Sequence, residues 1–129
     1  MNLNMQGAGG APQNLPIGDN TIVTGPMGDC VSIIVLYNYN GATNRYLNGC
    51  GWHGLGGAQV INMGAMLGGV PNVALTQVII IPGPLQSSDY ARGQTMAHVQ
   101  AGLGAHGNVN VRYISGRSNA TVNRQALIT

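Results

Sequence analysis

The chain of 129 residues has no lysine, no glutamate and no phenylalanine. Charge is scarce: 6% of residues carry one, against about 25% in ordinary globular chains. The bases are Arg45, Arg92, Arg112, Arg117 and Arg124, and the acids are Asp19, Asp29 and Asp89. A formal charge of +2 over scattered arginines forms no basic stripe, which argues against nucleic-acid binding driven by counterion release. Apolar runs are short, the longest near seven residues, whereas a membrane-spanning helix needs about 20. Two cysteines make no disulfide framework. With His53, His98 and His106 they match no zinc-ligand spacing, so no structural zinc site is expected. The missing lysine has two readings. One is compositional drift toward arginine. The other is avoidance of ubiquitin attachment by a protein working inside a host cell, since lysine is the attachment point.

What is present is a globular composition, 44% apolar, with polarity supplied by Asn, Gln, Ser and Thr. Residues 1–19 show neither the positive charge nor the apolar core of a secretory signal. Their Gly, Asn and Pro content reads as a flexible lead, with the domain proper over 20–129. Short β-branched runs predict strands at 20–24, 31–37, 52–55, 74–81, 108–115 and 120–128. The Asn-rich stretch 38–51 reads as a loop. Helical spacing of apolar residues predicts helices over 58–67 and 88–103, the second opened by Ser87 or Ser88 as N-cap and Asp89 in the first turn. This order predicts an α+β class, drawn as a layered α/β/α sandwich with a mostly antiparallel sheet.

The chemistry-bearing residues are Cys30 and His53. Cys30 stands between a Gly-rich turn (25–29) and an apolar strand, and His53 stands on the predicted return strand among glycines. Pairing of the two strands brings them to one end of a hairpin. A thiol with a free pKa of about 8.5 needs a neighbouring base to become the reactive thiolate. A third group must then hold the imidazole in one tautomer. Thr24 offers a hydroxyl at the end of the preceding strand. The glycines leave backbone N–H groups free as an oxyanion hole. The bland alternatives are a cysteine serving as core filler, a structural histidine, and a Cys30–Cys50 disulfide in an exported protein. His98 and His106 read as helix-surface and loop residues.

The segment TGPMGDCVSIIVLY (24–37) resembles the nucleophile segment of the chemoreceptor glutamine deamidases known as CheD. There a Thr lies six residues before a Cys that opens an apolar strand. The segment GCGWHG (49–54) is similar to the family's Gly-Gly-x-x-His strand, and Gly116-Arg117 falls where the family has a Gly-Arg turn. The same Thr–Cys–His plan occurs in cytotoxic necrotizing factor toxins. The resemblance implies a cysteine-dependent protein-glutamine deamidase, a hydrolase with catalytic Cys30, His53 and Thr24 and no cofactor. It also implies a protein substrate with an exposed glutamine. Small size, absent lysine and the lead point to a bacterial toxin or effector domain, delivered from the bacterium and able to have a neutralising partner protein. A CheD-type role in the bacterial cytoplasm and a non-enzymatic sheet-based binding module are the alternatives. The departures are Asp29 before the nucleophile and a longer Cys-to-His interval. An inward carboxylate would raise the thiol pKa, so Asp29 is expected to face solvent.

Overall fold

A computed structural model describes residues 1–56 and 61–129. Two long strands organise it: β3 (Cys30–Asn40) and β4 (Arg45–Leu55). They follow β1 (Gln13–Asn14) and β2 (Thr21–Val23). They precede helix α1 (Met63–Leu67), β5 (Gln77–Pro82), helix α2 (Asp89–Leu103), β6 (Asn110–Tyr113) and β7 (Thr121–Asn123). The main sheet runs β1-β4-β3-β5-β6, antiparallel throughout except for the β5–β6 pair, and β2 and β7 form a second sheet. The class is α+β.

Period-two alternation divides the strands between two cores. Val31, Ile33, Val35, Trp52, Val78 and Ile80 face one side, where Met63, Met66 and Leu67 of α1 and Val99 and Leu103 of α2 pack on them. Cys30, Ile34, Leu36, Ile79 and Ile81 face the other, where Ile22 of β2 and Val122 of β7 cover them. Both described helices thus pack into one cluster and the small sheet into the other. Each buried aliphatic side chain contributes on the order of 1.5–3 kcal/mol, so the doubly covered β3 and β5 anchor the fold.

Three local expectations differ from the structure. Residues 1–19 are tied down. Leu3 and Leu15 are buried, β1 pairs with Gly51 and Cys50, and the Leu3 N–H donates to the Val23 carbonyl at 2.9 Å. Gly51 makes this fit possible, because a Cβ there would lie 2.7 Å from a Leu3 methyl. Residues 38–51 are strand on both sides of a tip at 41–44. The Asn and Tyr residues that look loop-like pair across the ladder. Tyr39 lies opposite Tyr46, with ring centroids 5.1 Å apart, while Asn38 and Asn44 take the positive φ that asparagine tolerates. The helix expected over 58–67 begins at Met63, with the Asn62 side chain accepting from the Ala65 N–H; residues 58–60 lie outside the described residues. By contrast α2 starts after Ser88, whose side chain accepts from the Ala91 N–H as an N-cap should.

Cys50 and Cys30 are both free and buried. Cys50 pairs with Val35 and Cys30 with Leu55. They are therefore about 16 Å apart along the ladder and sit in opposite cores, which rules out a disulfide between them.

Two measurements check this architecture. Leu3→Ala should lower the unfolding free energy by about 2–4 kcal/mol in urea denaturation, whereas a loose lead would give no change. Burial pushes the Cys50 thiol up to about 11 from 9.0. A raised folded-state pKa means stability that is intact below pH 9 and lost as pH climbs toward 11, on the order of 2–3 kcal/mol. Cys50→Ala should flatten that part of the stability-versus-pH curve.

Candidate functional site

The β3–β4 register puts Ser32 directly opposite His53 and Cys30 opposite Leu55. Residues 30, 32, 53 and 55 therefore share one face of the sheet. Cys30 and His53 are diagonal neighbours, a relation that places residues about 7–8 Å apart, within reach of long side chains. The site sits at the open end of the hairpin, on the face covered by β2 and β7.

His53 is buried, and its ring Nδ1 lies 2.7 Å from the Thr24 carbonyl oxygen. A carbonyl only accepts, so Nδ1 carries the proton, and in the neutral ring Nε2 is a bare acceptor. That Nε2 is buried and has no hydrogen-bond partner among the described residues. An unmet buried polar atom costs on the order of 1–3 kcal/mol, and this one belongs to the ring that the sequence marks for proton transfer. The backbone of His53 is held as well: its carbonyl accepts from the Gln6 N–H at 2.6 Å.

Thr24 does bind His53, but through its main chain. Its N–H donates to Ala120 at 2.9 Å and its hydroxyl accepts from the Ala120 N–H at 3.0 Å. The hydroxyl also lies 3.3 Å from the Asn119 side-chain oxygen. Hydroxyl and amide are thus spent on the strand crossing, and the carbonyl turns toward the main sheet. Asn119 and Ser32 are participants the sequence reading did not single out. Ser32 is fully buried and donates to the Met27 sulfur at 3.2 Å. Its only sequence signal is its place two residues after Cys30, on the same face.

The turn before Cys30 is locked by its carbonyls. Gly28 accepts from the Leu85 N–H at 2.9 Å, Asp29 from Gly56 at 3.3 Å, and Cys30 from Gly83 at 2.8 Å. The N–H groups of Gly28 and Asp29 donate to no described partner. Gly83 presses directly on the turn: a Cβ there would sit 2.4 Å from the Gly28 carbonyl oxygen. Leu55 and Leu85 stand exposed beside the turn.

Cys30 itself is 5% exposed. Burial raises its thiol pKa above the ordinary value, and the adjacent Asp29 charge raises it further. Asp29 faces solvent, as expected, yet its charge still reaches the thiol. The resting thiol is therefore protonated at neutral pH, and a base must take its proton for it to attack. The other two histidines lie elsewhere. His98 is half-buried on α2, and a ring nitrogen of His106 lies 2.8 Å from the Val70 carbonyl. Among the described residues no cluster of three or more His, Cys, Asp or Glu side chains assembles to hold a metal, and no helix is long and apolar enough to cross a membrane.

Compared with known proteins, the chain matches no family model and no curated sequence.

Alkylation of Cys30 followed against pH should give an apparent pKa above that of a free thiol. Asp29→Asn should move it down by removing the second of the two raising causes. An unchanged profile would show that the carboxylate does not reach the sulfur. Gly83→Ala should cost about 1–3 kcal/mol of stability by overpacking backbone against backbone.

Proposed function

We propose that the chain is a cysteine-dependent protein-glutamine deamidase, with Cys30 as nucleophile, His53 as general base and acid, and Thr24 as the residue that orients His53. The observation that carries this reading is the His53 ring. One nitrogen is fixed by a backbone carbonyl, and the other is buried on the Cys30 face with no hydrogen-bond partner among the described residues. The resemblance of segments 24–37 and 49–54 to CheD-type deamidases supports the same assignment.

His53 Nε2 takes the Cys30 proton, and the sulfur bonds to the carboxamide carbon of a substrate glutamine. The carbonyl π electrons move to oxygen, and the free N–H groups of the 28–29 turn, with that of Cys30, are the available donors to the oxyanion. The tetrahedral intermediate collapses, the C–N bond breaks, and ammonia leaves with the proton from His53. Water then gives a proton to the same nitrogen as its oxygen attacks the thioester. Breakage of the C–S bond leaves glutamate and restores the thiol. An amine in place of water would make the same site a transglutaminase. The exposed, weakly charged surface and the missing lysine favour a bacterial effector domain acting on a host or rival protein.

One observation favours a non-enzymatic binding module: a thiol that is buried with its pKa raised. Ammonia release from glutamine-bearing proteins, with mass spectrometry of the product, decides between them. The deamidase reading predicts glutamine-to-glutamate conversion that Cys30→Ala abolishes and His53→Ala reduces by about 10²-fold or more. Thr24→Val should retain activity within a few-fold, because the orienting carbonyl remains, while costing about 1–2 kcal/mol of stability through the lost Ala120 bond. Absence of conversion across a proteome-wide substrate pool, with Cys30 inert to alkylation, would contradict the reading.

A further inference from the structure

At the far end of the β3–β4 hairpin, about 30 Å along the strands from Cys30, lies a second feature the deamidase chemistry does not use. A cavity of about 350 Å³ is lined by Ile17, Asn40, Thr43, Arg45, Leu47 and Arg124. That volume is at the lower end for small-molecule sites. The lining holds two cations and no acid.

Arg124 is buried at 3% exposure and forms part of the wall. Its Nε donates to the Asp19 carbonyl at 2.8 Å. One terminal nitrogen donates to Tyr46 and Leu47 carbonyls at 3.2 and 2.7 Å. The other donates to Pro16 and Ile17 carbonyls at 2.9 and 3.5 Å. All five guanidinium N–H groups are therefore committed, and Arg124 offers the cavity its charge but no donor. The side chain of the nearest acid, Asp19, is engaged with the Met1 amino group at 3.1 Å. Burial first and then the neighbouring Arg45 charge push the Arg124 pKa down, against a smaller upward push from Asp19.

Arg45 is different. It is half-buried, and its one described bond runs from a terminal nitrogen to the Asn20 side-chain oxygen at 3.2 Å. Its remaining donors are free among the described residues, as is the Thr43 hydroxyl. Ile17 is 96% exposed and Leu47 50% exposed, so the wall beside these donors is apolar and uncovered.

We infer that this cavity is a binding site for a carboxylate carrying a short apolar body, with Arg45 and Thr43 holding the carboxylate and Ile17 and Leu47 holding the body. A guanidinium fork matches a carboxylate in plane, and Arg124 behind it adds field without competing for the oxygens. Inorganic phosphate would leave the apolar wall unused, and a neutral amphiphile would leave the charge unmet.

NMR titration of the full chain tests this with three probes: hexanoate, hexanamide and inorganic phosphate. Hexanoate should shift amides at residue 17 and residues 40–47 saturably, with hexanamide and phosphate each at least tenfold weaker. Arg45→Gln should weaken hexanoate at least fivefold with the melting temperature unchanged, and Thr43→Val should weaken it less. Equal binding of hexanoate and hexanamide would overturn the charge assignment, and equal binding of phosphate would overturn the apolar one. No saturable shift would overturn the site. The three-probe contrast in the unmodified protein stands even if Arg45→Gln fails to fold.

Discussion

The register of β3 against β4 is the constraint from which the rest follows. With Ser32 opposite His53, every residue of both strands has its face assigned, because side chains alternate and a slip of one position would exchange the two cores. Cys30 and His53 then fall together under the small sheet, and Cys50 and Trp52 fall under the helices. Two apolar layers, one on each face of the sheet, hold this register. Leu3 packed on Gly51 adds a third tie at the β4 edge.

Within that frame the site is a set of compromises. The Thr24 carbonyl fixes one nitrogen of the His53 ring, while the other has no hydrogen-bond partner among the described residues. The turn 28–30 has its carbonyls tied to three different segments, so its shape is set from outside, and the Gly28 and Asp29 N–H groups have no partner among the described residues. The thiol is kept protonated at rest by burial and by Asp29. In the proposed mechanism such a thiol depends on its base, which would make the orientation of one imidazole the controlling variable.

Much of this was legible in the sequence, for reasons that differ by element. The β-branched runs at 31–37 and 74–81 and the Ser88-capped helix are local signals, and local physics decided them. That Cys30 and His53 lie on paired strands at one end of a hairpin followed from reading that hairpin. Three things were not legible. Residues 1–19 look like a linker because Leu3 and Leu15 are the only buried apolar side chains among them, and two leucines among glycines carry no periodicity. Residues 38–51 look like a loop because asparagine is a poor strand former, and only cross-strand partners such as Tyr39 and Tyr46 override that. The role of Thr24 was assigned to its hydroxyl because side chains are what a sequence displays; that its carbonyl does the work depends on β2 pairing with β7, a contact between residues some hundred positions apart.

The central claim is that His53 is held as the Nδ1–H tautomer with Nε2 free to act as base. Long-range ¹⁵N–¹H correlation NMR of the imidazole ring, recorded with the ring neutral, reads this directly. The account predicts a protonated, pyrrole-type Nδ1 and an unprotonated, pyridine-type Nε2, unchanged in Thr24→Val. A protonated Nε2, or a mixture of tautomers in fast exchange, would contradict it, because a ring free to choose would not be held by the Thr24 carbonyl.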